Sequence, residues 1–199
     1  MRVVLASHNE GKLAELKPLL APLGLTLESQ AEHHVASPEE TGTTFVENAL
    51  IKAKAVAYAT GLPSLADDSG IAVPALQGAP GIRSARYAGP DATDAENNRK
   101  LMGDISHLPS PVAAFYYCAI VYLEHANDPT PLIATAAWYG HLTPEPRGTN
   151  GFGYDPYFVI AGRSQTSAEL EPEEKNRLSH RGLACARLIS EFNRGTVPS

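Results

Sequence analysis

Asp67-Asp68-Ser69-Gly70 sets two carboxylates side by side, directly after the apolar segment Ser64-Leu65-Ala66. That is where α/β folds present groups to a ligand. Neighbours on an extended chain project to opposite sides, so one acid faces a site and the other caps a turn or helix end. Glu39-Glu40 is a second acidic pair, placed just before a helical pattern; by itself it reads as a solvated pair. Ser7-His8-Asn9-Glu10-Gly11-Lys12 is a polar loop between a strand-like run and a helix. Such a loop aims N–H groups and the positive end of a helix at an anion. Gly11 permits close backbone approach, Lys12 adds charge and Asn9 can donate or accept. An ordinary turn capped by Asn9 fits the same residues. The loop lacks the first glycine of a P-loop, and Leu13 stands where the magnesium-binding hydroxyl would be. A triphosphate bound here would need carboxylates elsewhere to hold its magnesium. Asp67-Asp68 and Glu39-Glu40 are the candidates.

Three further groups carry chemistry. Asn48 and Lys52 lie four apart on one helix face, away from the apolar stripe, facing a cleft or solvent. Gly148-Thr149-Asn150-Gly151-Phe152-Gly153-Tyr154-Asp155-Pro156 wraps glycines around one aromatic. Phe152 could stack on a base, worth ~1–3 kcal/mol, and Asp155 could accept from ring N–H groups; a tight loop around a core Phe is the alternative. Lys175 and Ser179-His180-Arg181-Gly182 bring cations to the mouth of the last helix, to meet phosphate or a base carbonyl, or simply to lie on the surface. The other histidines form no zinc-binding spacing. Cys118 and Cys185 belong to no C-x-x-C pair and read as buried small hydrophobes.

The elements that must position these groups follow from periodicity. Residues 2–6 read as a buried strand. Leu13, Leu16, Leu19, Leu20 and Leu23 recur at helical spacing with Gly24 as the stop, and Pro18 predicts a kink. Residues 25–27 form a weak strand. Thr44 to Glu47 and Thr93 to Glu96 have capping-box spacing, and open helices that end at Gly61 and near Ile105. Residues 112–123 and 132–139 read as a long hairpin, 157–160 as a short strand, and 183–192 as the last helix. Helices interspersed with strands, and a hairpin among them, predict an α/β fold with a mixed sheet and flanking helices.

The 199 residues, 43% hydrophobic, suffice for one sizeable domain over 1–199. A net charge of −6 disfavours broad binding to nucleic acid. No apolar run spans a bilayer and the N-terminus is no signal peptide, so no membrane partner and a cytoplasmic location are expected.

In order along the chain, six segments resemble the Ham1/RdgB family of non-canonical purine nucleoside triphosphate pyrophosphatases. They are Ser7 to Lys12, Glu39 to Ala49, Ala66 to Gly70, Gly78 to Tyr87, Gly151 to Pro156 and Leu178 to Gly182. Ser7, where the family often has Thr, and Pro18 are mild departures. The resemblance implies an elongated α/β fold of two lobes around a central cleft, and a homodimer. It implies hydrolysis of ITP, dITP and XTP to the monophosphate and pyrophosphate. It places Ser7, His8, Asn9, Glu10, Gly11, Lys12 and Lys175 on the triphosphate, with Lys52 as a further substrate contact. Asp68 would be the catalytic carboxylate, sharing magnesium with Glu40, and Ser69 would touch substrate. Phe152 would stack on the purine, with Gly153, Tyr154, Asp155, His180 and Arg181 around the base. A Maf-type pyrophosphatase and a nucleotide-binding protein without turnover are the rival readings. The Phe152 loop and Ser179-His180-Arg181 oppose the first, and the paired acids oppose the second.

Overall fold

The computed structural model describes residues 1–195. The elements are β1 (Arg2–Leu5), α1 (Glu10–Leu20), β2 (Thr26–Ser29), α2 (Phe45–Thr60), β3 (Ser64–Ala72), α3 (Asp94–Ile105), β4 (Val112–Leu123), β5 (Leu132–Leu142), β6 (Phe158–Ile160), α4 (Pro172–Leu178) and α5 (His180–Gly195). The strands form one sheet in the order β2-β1-β3-β4-β5-β6. β1 runs parallel to both β2 and β3, whereas β5 and β6 are antiparallel, so the sheet is mixed as the element pattern predicts.

Two compact units divide the chain. The first comprises Met1–Asp68, Cys118–Ala136 and the chain from Arg181; the second comprises Ser69–Tyr117 and Ala137–His180. In the first unit, strand alternation sorts side chains onto two faces. Val3, Leu5 and Leu65 pack with Leu16 and Leu20 of α1 and with Ala184 and Leu188 of α5. Val4, Ala6 and Ala66 pack with Ala49, Ala53 and Val56 of α2. Leu16 and Leu20 are wholly buried, each worth ~1.5–3 kcal/mol of apolar burial. The second unit has its own core, in which Leu101 and Ile105 of α3 meet Ile71, Tyr116, Trp138 and Phe158.

Local signals set the helix ends. Thr44 and Thr93 each close a capping box, with Glu47 and Glu96. Helix α1 runs through Pro18 to Leu20, and a 3₁₀ turn at Ala21–Leu23 ends on Gly24 with φ 62°. Pro18 sits in the last turn, where it removes one bond, to the Ala14 carbonyl, shortly before the helix passes into the 3₁₀ turn. Helix α4, which the apolar periodicity does not reveal, is short and opens on Pro172 and two acids. The larger difference is β3. The short apolar segment Ser64-Leu65-Ala66 is the start of one nine-residue strand that continues through the polar run Asp67 to Gly70. Among the described residues, no helix is long and apolar enough to cross a membrane.

Gly70 explains how this strand passes its neighbours. A Cβ there would lie 2.5 Å from the Gly81 carbonyl oxygen and would strike the Ser84 hydroxyl. That hydroxyl accepts from the Ile71 N–H at 2.9 Å and donates to Gly81 O at 2.6 Å. Gly70→Ala should therefore lower stability in urea by ~1–3 kcal/mol through overpacking. Gly103→Ala is the control: it lies inside α3 with open space around it, and should be neutral or stabilising by up to ~1 kcal/mol.

Candidate active site

The first unit gathers acids and cations around β3. Asn9 caps α1, its Oδ1 accepting from the Lys12 N–H at 3.0 Å, while Ser7 Oγ accepts from the Asn9 N–H at 3.1 Å. The Asn cap and the lysine thus belong to one helix start, with Glu10 and Gly11 in its first turn. His8 lies exposed, its Nε2 3.2 Å from the Val35 carbonyl oxygen. Lys12 extends inward, its ammonium 3.2 Å from Asp67 Oδ2.

Asp67 and Asp68 are both buried, at 2% and 6% exposure. They point to opposite sides, and each meets its own cations. Asp67 lies on the α1 and α5 side, with Lys12 and with Arg181 Nε at 3.4 Å. Arg181 Nη1 also donates to Glu15 Oε2 at 2.7 Å. Asp68 lies on the α2 side, where Oδ1 accepts from Lys52 Nζ at 2.7 Å. The same ammonium is 3.1 Å from Glu40 Oε1. Glu40 therefore reaches the group, and Glu39 is exposed. The loop bearing Glu40 is pinned by Asn48, whose buried Oδ1 accepts from the Gly42 N–H at 2.9 Å. A Cβ on Gly42 would lie 2.6 Å from that oxygen, so the loop needs glycine there.

The two aspartates differ electrostatically. Burial opposes ionisation of Asp67, but Lys12, Arg181 and Lys52 outweigh it and hold the carboxyl below its usual range. At Asp68 burial prevails over Lys52 and Lys12, and the carboxyl is pushed up. Burial also opposes the Lys52 charge, and Asp68, Asp67 and Glu40 together overcome it. Asp68 Oδ2 is buried without a hydrogen-bond partner. An orphaned carboxylate oxygen near a second acid fits a hard cation such as magnesium. Among the described residues no group of three or more His, Cys, Asp or Glu side chains is placed to hold a metal. Two carboxylates nevertheless suit magnesium, which keeps waters and phosphate oxygens as its remaining ligands.

The second unit builds the aromatic loop. Gly148, Gly151 and Gly153 have φ of 81°, 77° and 63°, values that favour glycine. Asp155 organises the loop from within. Its Oδ2 accepts from the Phe152 N–H at 2.9 Å and from Lys175 Nζ at 2.7 Å, and its Oδ1 accepts from Ser167 Oγ at 2.7 Å. The Lys175 ammonium lies 5.2 Å from the centre of the Phe152 ring. Asp94 Oδ2 accepts from the Gly153 N–H at 2.7 Å, and Asn98 Nδ2 donates to Gly153 O at 2.9 Å. A cavity of about 670 Å³ opens beside Phe152 against Asn98, Arg99 and Met102 of α3. His180 is buried and stacked on Tyr116, ring centres 4.7 Å apart.

Four residues expected at the substrate also have partners within the protein. Tyr154 is buried and donates its hydroxyl to Ser84 O at 2.8 Å. Asp155 accepts from its own loop rather than from a base. Lys175, expected on the triphosphate, is 5% exposed and committed to Asp155. Arg181, expected beside the base, donates to Glu15 and Asp67. The reason is common to all four: buried polar groups take internal partners. Lys52, Glu40 and Asp68 do come together, Lys12 meets the adjacent Asp67, Ser69 is half-buried next to Asp68, and Phe152 and Gly153 share the aromatic loop. Glu15, Asp94, Asn98 and Ser167 escape the sequence reading. Only Glu15 leaves a trace, three residues after Lys12 on the same helix face.

Asp67→Asn should leave Lys12 and Arg181 without their shared buried anion, a loss of about 3–5 kcal/mol at neutral pH. Because the Asp67 pKa is depressed in the fold, its contribution is complete above the unfolded value near 3.8 and fades as pH falls below it. Urea unfolding of both proteins across pH 2.5–7 should show the gap narrowing below about pH 4. A constant gap would rule the linkage out.

The Ham1 family profile matches residues 3–191. The chain is 52% identical to a dITP/XTP pyrophosphatase of Nitrosomonas europaea over 198 residues, covering 99% of this chain and 97% of that protein. It is 50% identical to the dITP/XTP pyrophosphatase of Escherichia coli strain K12, covering 98% and 99%. Among solved structures, a HAM1 protein from Coxiella burnetii superposes with a TM-score of 0.91 at 48% identity, covering 98% of this chain and 99% of that one. The Staphylococcus aureus Ham1 protein gives 0.86 at 34% identity, covering 99% and 100%. A match of this extent makes the chain a member of the Ham1 family.

Proposed function

We propose that this protein hydrolyses dITP, XTP and ITP to the nucleoside monophosphate and pyrophosphate, using magnesium. The carrying observation is the Asp68–Lys52–Glu40 group built on a buried aspartate, in a chain about half identical, over nearly its full length, to proteins named dITP/XTP pyrophosphatase. Clearing such nucleotides from the pool would be cytoplasmic work, done here by a homodimer.

In this reading Glu40 and Asp68 hold the metal, which when bound supplies charge neutralisation on the phosphates and acidifies water. Asp68 accepts the proton of the water that attacks the α-phosphorus. Its raised pKa makes it a stronger base than an ordinary carboxylate. Lys12 and Lys52 stabilise the charge that develops on the pyrophosphate leaving group. The purine stacks on Phe152. A 6-oxo group accepts hydrogen bonds where the 6-amino group of ATP donates. A hydrogen-bond donor at that position therefore favours ITP and XTP, and is left unpaired by ATP.

Pyrophosphate release from a panel of triphosphates, with and without magnesium, tests the reading. ITP, dITP and XTP should be turned over only with the metal, and ATP far more slowly. Asp68→Asn should keep the fold by circular dichroism and lose about 10²–10⁴-fold in kcat, the usual worth of a positioned base. Near-normal turnover by that variant would remove Asp68 from the mechanism.

A further inference from the structure

We propose that Lys52 is a placeholder cation: it occupies the seat between Glu40 and Asp68, keeps divalent metal out of the substrate-free protein, and yields that seat when a triphosphate arrives. The proposal rests on the metal role given above to Glu40 and Asp68, and it concerns when, not whether, that role is taken up.

The geometry carries it. The Lys52 ammonium lies 2.7 Å from Asp68 Oδ1 and 3.1 Å from Glu40 Oε1, so one cation already joins both acids. The Lys52 side chain is only 12% exposed, and it reaches this point from the wall of α2. Lys12 does not substitute for it, because its ammonium is engaged with Asp67. A divalent ion on the same two carboxylates would sit against a buried ammonium and be repelled at close range, where water screens poorly. Two acids and one lysine also sum to a single negative charge, a weak attraction for a free metal ion. A triphosphate changes this balance. Its oxygens give Lys52 a new anionic partner and deliver a metal already partly coordinated, so Glu40 and Asp68 are released together. Metal and nucleotide would then bind as one unit, and free metal would not trap the protein in a loaded, substrate-free form.

The test is a manganese(II) titration of the full chain without nucleotide, with free ion followed by electron paramagnetic resonance. The wild type should bind weakly, with a dissociation constant at or above the millimolar range, and at least tenfold more tightly with a non-hydrolysable α,β-methylene ITP analogue. Lys52→Gln should bind manganese alone at least tenfold more tightly than wild type. Lys52→Arg, which keeps the charge, should remain weak, and Glu40→Gln added to Lys52→Gln should abolish the gain. Micromolar binding by the nucleotide-free wild type would overturn the proposal, and so would equal affinities in wild type and a folded Lys52→Gln. The wild-type arms decide the matter if Lys52→Gln does not fold. Magnesium-dependent pyrophosphate release by the wild type, measured in parallel, separates the two readings. Turnover with tight free-metal binding sinks the placeholder and spares the function, whereas absence of both turnover and metal binding with the analogue sinks the function itself.

Discussion

Two adjacent carboxylates are buried in the middle of a strand, and carboxylates in that position are tolerated only beside cations. This requirement organises the first unit. The alternation that sends Leu65 toward α1 and α5 sends Asp67 the same way, and the alternation that sends Ala66 toward α2 sends Asp68 there. Each helix that covers the sheet therefore brings a cation with its apolar face: Lys12 from α1, Arg181 from the first turn of α5, Lys52 from α2. Apolar packing and charge pairing are solved by the same placements. The polar run of β3 remains strand because its side chains are satisfied from both faces, not because its residues favour strand.

The second unit repeats the principle on a loop. Asp155 is buried, and its two oxygens serve a backbone N–H, a hydroxyl and an ammonium. A glycine-rich segment has much conformational entropy to lose, and a flat ligand is best met by a ring already in place. The internal carboxylate resolves the conflict, because it fixes the Phe152 backbone before any ligand binds. Asp94 and Asn98 hold the neighbouring Gly153 by its N–H and its carbonyl. Preorganisation here is a matter of backbone hydrogen bonds, with the aromatic ring as their product.

These two networks show which parts of the protein were legible in its residues. The capping boxes at Thr44 and Thr93, and the stops at Gly24 and Gly61, were readable because cause and effect lie within four residues. The acid pairs, Lys12 and the Phe152 loop were recognisable as candidates by type and spacing. The partners were not. Whether Arg181 donates to a base or to Glu15 depends on residues 166 positions apart in the chain. The internal bonds of Lys175 and Tyr154 were hidden for the same reason: a polar residue near a functional motif is equally suited to hold the motif together. The full length of β3 was not readable because Asp67 and Asp68 lack strand propensity, and non-local cations override that.

The pairing also decides which aspartate is suited to proton transfer, a choice that identical side chains one residue apart cannot express. Asp67 faces two cations of its own and is held below the ordinary carboxylate range, which makes it a permanent anion and a poor base. Asp68 is paired with Lys52, which it shares with Glu40, and burial raises its carboxyl. Adding a cation on the Asp68 side would pull that carboxyl back down. Removing one from the Asp67 side would leave a buried charge uncompensated and spoil the fold. The uneven distribution of cations about β3 thus gives two identical side chains, one residue apart, opposite electrostatic settings.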